Sequence, residues 1–255
     1  MSQFIVERAL APAEGDAAQL FIIFITPDQV EPQGYALMTA LAQTFATAGI
    51  VMVVPKPATQ VNSAMHKVLE GQVLSNEELR EFALLLSAEC EHLILHLQER
   101  FGVSSEATAL VATSQLASAI LELTKLPKPL AGRVITFGAR YAELPNAKLS
   151  LDQTVHFLHA AKDPVVPVIH LSEADTAFAQ FEGDATIDVA HILDDSFHPD
   201  LVQKMLERLL TCVPLRIWLD AQGMQSSTVD EDEKSGDSVQ ATGPGPEDSL
   251  HYVII

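Results

Sequence analysis

Six consecutive residues, Leu20-Phe-Ile-Ile-Phe-Ile25, carry no polar side chain, and this run constrains the fold more than any other feature. A strand with one face in water alternates apolar and polar residues. A strand that is apolar at every position must be covered on both faces, the pattern of a parallel sheet sandwiched between helices. β-compatible apolar runs recur at Phe4–Leu10, Gln19–Ile25, Ile50–Val54, Thr108–Ala112, Val134–Phe137, Thr154–His159 and Ala185–His191. Helix-periodic stretches fall between them at Gln33–Ala48, Asn76–Phe101, Gln115–Leu123, Val168–Gln180 and Asp200–Thr211. Ser75 and Glu78 form a capping box at the start of the longest of these, and Gly102 offers a left-handed stop at its end. Strand–helix alternation of this kind implies an α/β fold, a doubly wound, mostly parallel sheet with helices on both faces.

The chain has 255 residues, 48% of them hydrophobic, enough to bury one large core. Its formal net charge of −19 argues against nucleic acid and anionic membrane surfaces as partners, since both repel an acidic protein. No apolar run reaches the ~18 residues of a membrane span, and the N-terminus lacks a basic segment leading into a long apolar one. Cys90 and Cys212 follow no ligand or disulfide spacing and read as reduced, buried thiols of a cytoplasmic protein. From about Ala221 the apolar period disappears, so residues 1–220 are expected to form a single domain and 221–255 an acidic, disordered tail. The closing His251-Tyr-Val-Ile-Ile255 turns apolar again and suits docking or an edge strand, in this chain or another. There is no internal repeat. No glycine-rich phosphate loop follows any strand, which weakens a flavodoxin-like nucleotide-binding reading. His92 and His96 have metal-compatible spacing on one helix face, but no third ligand accompanies them. No cofactor or metal is implied.

Chemistry concentrates at Ser114, where the strand Thr108–Ala112 passes straight into a helix. A serine on a sharp strand-to-helix turn holds its hydroxyl clear of a sheet, the device that presents a nucleophile in G-x-S-x-G. Here the segment reads Ala112-Thr-Ser114-Gln-Leu116, without either glycine. Ser114 equally suits a helix N-cap. Asp163 before Pro164 suits an ordinary turn, and His198 before Pro199 an exposed residue at a helix start.

Several segments together resemble the bacterial esterases of the phospholipase/carboxylesterase family, relatives of the acyl-protein thioesterases. They are Arg133-Val-Ile-Thr-Phe-Gly-Ala-Arg-Tyr-Ala-Glu-Leu-Pro145, Thr154-Val-His-Phe-Leu-His-Ala-Ala-Lys-Asp-Pro-Val-Val166, Thr108–Gln115 and the stretch from Thr186 to the helix ending near Pro214. Roughly residues 18–220 overlay the family with modest gaps. The resemblance implies the α/β-hydrolase fold and a serine nucleophile, with an aspartate and a histidine following in chain order. It makes Ser114 the nucleophile, Asp163 the residue that orients the base, and the Gln115 backbone N–H an oxyanion donor. A small acyl ester or thioester would be the substrate.

Three positions depart from that pattern. The family histidine falls on Asp195, so only the displaced His198 remains as a base, and a carboxylate there would repel Asp163. The second oxyanion donor falls on Pro27, which has no N–H. Leu116 replaces a glycine where strand and helix pack closely. His159 matches a family histidine with a structural role. The sequence therefore points to an esterase-like hydrolase whose catalytic site is degraded. The alternative is a non-catalytic binding or scaffold protein on the same fold, with a homodimer or another protein as partner.

Overall fold

A computed structural model of the chain describes residues 3–12, 15–221 and 252–254. Its strands are β1 (Phe4–Leu10), β2 (Gln19–Phe24), β3 (Ala48–Pro55), β4 (Thr108–Thr113), β5 (Arg133–Phe137), β6 (Thr154–Ala160), β7 (Asp184–Ala190) and β8 (Tyr252–Ile254). They form one sheet in the order β1-β3-β2-β4-β5-β6-β7-β8. β1 runs antiparallel to β3 and every other pair is parallel. The helices are α1 (Tyr35–Thr44), α2 (Ser63–Leu69), α3 (Asn76–Phe101), α4 (Ser114–Leu123), α5 (Ile169–Gln180), α6 (Pro199–Thr211) and α7 (Leu215–Ala221).

The unbroken apolar run of β2 is explained by the two cores it separates. Leu20, Ile22 and Phe24 pack on one face with Phe82 and Leu86 of α3, Leu116 and Ile120 of α4, and Leu171 of α5. Phe21 and Ile23 pack on the other with Leu37 and Met38 of α1 and Leu201 and Met205 of α6. Each such side chain contributes roughly 1.5–3 kcal/mol on burial, so a polar residue at any of these positions is costly. A doubly covered, mostly parallel sheet is what the run predicted.

The seven strands read from the sequence are present within two residues at their ends, and α3 begins and ends where its capping box and Gly102 place it. The first helix is shorter than expected. It stops at Thr44, Phe45 leaves helical geometry (φ −125°, ψ 77°), and β3 already begins at Ala48. The Phe45 ring turns back onto Phe21, with centroids 5.1 Å apart. Gly49 admits the Phe101 ring, an atom of which lies 2.6 Å from where a Cβ would stand. These long-range contacts override a helical periodicity that runs on to Ala48. α2 and α7 were not anticipated, because seven residues are too few to show an apolar stripe. β8 lies parallel to β7, so the apolar C-terminal segment does extend the sheet of its own chain. The stretch expected to be a disordered tail falls, from residue 222 to 251 and at 255, outside the described residues. No helix among the described residues is long and apolar enough to cross a membrane.

From β2 the chain crosses to β3 on one side, and β4 then pairs with the other side of β2. The connections leaving β2 and β4 therefore diverge, opening a crevice at the carboxyl ends of these two strands.

Candidate functional site at the carboxyl ends of the strands

Ser114 is the first residue of α4 and adopts φ 50°. Glu182 is the only other non-glycine residue with a positive φ among those described. Left-handed backbone costs a residue with a Cβ on the order of 1–3 kcal/mol and persists where the surroundings enforce it. The N-cap is Thr113, whose side chain makes no capping bond. The simple capping role for Ser114 is therefore replaced by a strained turn. Leu116 avoids the expected crowding by burying its side chain in the same core as Ala112.

The loop after β2 is fastened to this turn. The Gln29 Oε1 accepts from the Thr113 hydroxyl at 2.6 Å and from the Thr26 N–H at 3.3 Å. The Gln29 N–H is itself donated to the Thr26 carbonyl at 3.0 Å, and Pro27 has no N–H. The N–H groups of Thr26 and Gln29 are thus both engaged within the loop. The Gln115 side chain points away from the crevice. It accepts from the Leu74 N–H at 2.7 Å and donates to the Gln72 carbonyl at 2.8 Å. Only its backbone N–H, in the first turn of α4, remains to meet a developing negative charge.

A cavity of about 270 Å³ opens here, lined among others by Ser114, Asp163, Asp194, Asp195, Ser196 and Gln29. The structure thus brings Ser114 and Asp163 together at one cavity. Asp163 follows β6 and both oxygens of its carboxylate are hydrogen-bonded. Oδ1 accepts from the Val165 and Val166 N–H groups, each at 2.9 Å. Oδ2 accepts from the Ser196 hydroxyl at 2.5 Å. Ser196 is buried, and its Oγ also accepts from the Ala160 N–H at 2.9 Å. Gly138, at φ 60° after β5, makes room for this pair. A Cβ there would lie 2.6 Å from Asp163 Oδ2 and 2.8 Å from Ser196 Oγ, so only glycine fits. Neither Ser196 nor Gly138 was singled out in the sequence. Their role depends on three strand ends meeting in space, and no local spacing signals it.

Asp195 is held at the rim. Its Oδ1 accepts from the Phe197 N–H at 2.8 Å and its Oδ2 from Gln33 Nε2 at 3.2 Å. No histidine, lysine or arginine is among the described residues that line the cavity. His198 is not brought into it. It is the N-cap of α6, and its Nδ1 accepts from the Asp200 N–H at 3.2 Å. His159 is buried within β6, with Nε2 against the Val166 carbonyl at 2.8 Å. Burial pushes the pKa of this imidazole down. It is a neutral brace of the loop that carries Asp163. His92 and His96 are exposed on α3. No group of three or more His, Cys, Asp or Glu side chains among the described residues is arranged to hold a metal ion.

No protein-family model matches the chain. Over 121 residues it is 36% identical to Esterase YpfH of Escherichia coli K12, a stretch that covers 48% of this chain and 52% of that protein. The chain thus matches about half the length of this curated relative. The crystal structure of esterase PE8 superposes with a TM-score of 0.63 at 18% identity, covering 81% of this chain and 98% of that one. A phospholipase/carboxylesterase from Dyadobacter fermentans superposes with a TM-score of 0.54 at 18% identity, covering 82% and 97%. The resemblance read from the sequence is borne out: the chain is a homologue of an Escherichia coli esterase and carries the α/β-hydrolase fold of carboxylesterases of known structure.

Proposed function

We propose that the Ser114 cavity receives the carbonyl of a small acyl ester or thioester and that no imidazole base activates the serine there. The chain is then an esterase-fold protein that binds such a group without turning it over at an enzyme's rate. The observation that carries this reading is the lining of the cavity. No histidine is among the described residues that line it, His198 caps α6 instead, and the Asp163 carboxylate accepts from two backbone N–H groups and the Ser196 hydroxyl rather than from an imidazole. In a working triad that aspartate holds the imidazole in its productive tautomer. Without a base the Ser114 hydroxyl stays protonated at neutral pH and is a weak nucleophile. The helix N-terminus still favours the carbonyl oxygen, which supports binding more than turnover.

The strained turn at Ser114 (φ 50°) favours a second reading, a slow esterase in which His198 leaves its capping position to act as base. Hydrolysis of p-nitrophenyl butyrate and of a butyryl thioester by the wild type and Ser114→Ala decides between them. Equal rates for the two proteins support the binding reading. A wild-type rate that collapses in Ser114→Ala and in His198→Gln establishes the esterase.

A further inference from the structure

The wall of the Ser114 cavity carries charge of one sign. Three carboxylates line it, those of Asp163, Asp194 and Asp195, and among the described residues no lysine, arginine or histidine does. Asp163 and Asp195 accept hydrogen bonds only from neutral groups: the Val165, Val166 and Phe197 N–H groups, the Ser196 hydroxyl and the Gln33 amide. Such donors favour the charged form of a carboxylate without cancelling its charge. Asp194 is exposed, and its side chain makes no hydrogen bond or ion pair with the described residues. Asp28 and Glu31, exposed on the loop after β2, have the same sign. The basic residues of the neighbouring loops stay outside the wall. Arg140 donates to Asn76 Oδ1 at 2.8 Å, and Lys162, although next to Asp163, is exposed and absent from the lining.

The rest of the wall is largely apolar. Phe137, at the end of β5, and Phe197, before α6, both line the cavity, with ring centroids 5.3 Å apart. A cleft lined by one sign of charge concentrates ligands of the opposite sign and repels those of its own. Aromatic surface beside carboxylates suits an alkylated ammonium group. The two sides of the cavity thus offer different things to a ligand. The N-terminus of α4 presents the positive end of a helix dipole to a carbonyl oxygen at Ser114, and the loop after β7 presents Asp194 and Asp195 to a cation. We propose that the ligand is a small acyl ester with a quaternary ammonium group on its alcohol side, selected by Asp194 and Asp195, which presupposes the acyl site proposed for Ser114. The same carboxylates repel a thioester whose carrier bears phosphates, so the ester is the class this cavity takes. Its volume of about 270 Å³, at the lower edge of ordinary ligand pockets, keeps both ends of the ligand small.

Ligand-observed NMR titration of the full chain with a matched pair of esters tests this. Acetylcholine and 3,3-dimethylbutyl acetate share a shape and differ in the replacement of the charged nitrogen by carbon. Acetylcholine binds about tenfold more tightly at low salt, and the margin narrows at about 0.5 M salt. Asp194→Asn with Asp195→Asn removes most of the margin by weakening acetylcholine. Glu99→Gln with Glu106→Gln, exposed residues ahead of the amino end of β4, makes the same change in net charge and keeps the margin. Equal affinity for the two esters overturns the inference and leaves the acyl site standing. A margin lost equally in the Glu99 and Glu106 variant also overturns it, since the net charge of −19 is then its source. A wild type that binds neither ester removes the acyl site, and the inference with it.

Discussion

The two halves of the cavity differ in what their side chains are free to do. On the β2–β4 side the backbone at Ser114 holds an unfavourable conformation, and the Ser114 hydroxyl makes no hydrogen bond with the described residues. On the β6–β7 side the polar groups are hydrogen-bonded within the protein. Asp163, Ser196 and the Ala160 N–H bond one another, while Asp195 is tied to Phe197 and Gln33. Under the proposed function the Ser114 side receives the ligand and the Asp163 side holds the loops after β6 and β7 together.

The contrast is broken most forcefully by rebuilding the aspartate side. Asp195→His combined with Ser196→Ala places an imidazole at the family's position and frees Asp163 Oδ2 to orient it. General-base assistance of this kind is worth on the order of 10²-fold or more, and p-nitrophenyl butyrate hydrolysis should rise by about that factor in a Ser114-dependent way. Next in size is Asp163→Ala. It strands two backbone N–H groups and the Ser196 hydroxyl in a part-buried loop, and should cost about 3 kcal/mol in chemical denaturation. A purely catalytic aspartate would leave stability unchanged.

Acid should act on one side of the comparison only. His156 of β6 is buried, and burial with the nearby Arg133 and Arg208 guanidinium groups holds its pKa down at about 3. His159 on the same strand is lowered by burial. In the unfolded chain both titrate near 6.5, so the unfolded state binds more protons between that pH and the lower folded values. Stability is complete above about pH 6.5 and falls as the pH drops towards 3. Amide exchange at pH 5 should accelerate in β6 and β7 before β2 and β4, and His156→Gln should reduce the slope. The smallest effect sharpens the claim of strain. Ser114→Gly relieves the left-handed φ and should stabilise the protein by up to about 1 kcal/mol.

Where the sequence was legible, the cause was local. The apolar run of β2 announces its two covered faces, and Ser75, Glu78 and Gly102 mark both ends of α3. Ser114 could be found because a strand runs directly into a helix there. Its φ of 50° was not legible, since serine favours either an N-cap or an elbow and only the closed fold decides. Asp163 was placed by the family resemblance of the segment Thr154–Val166, in which it follows a strand. Its partner Ser196 was not, because that bond spans 33 residues and exists only once β6 and β7 are neighbours. His198 illustrates the reverse case. Its proximity in sequence to the family's histidine position suggested a base, while Pro199 behind it starts α6 and makes it a cap.

The central claim is that Ser114 is poised but not activated. Incubating the folded wild type with a fluorophosphonate and locating the adduct by mass spectrometry tests it directly. The account predicts no stoichiometric labelling of Ser114 at neutral pH, with labelling appearing in Asp195→His/Ser196→Ala. Rapid, stoichiometric modification of Ser114 in the wild type, absent from Ser114→Ala, would contradict it.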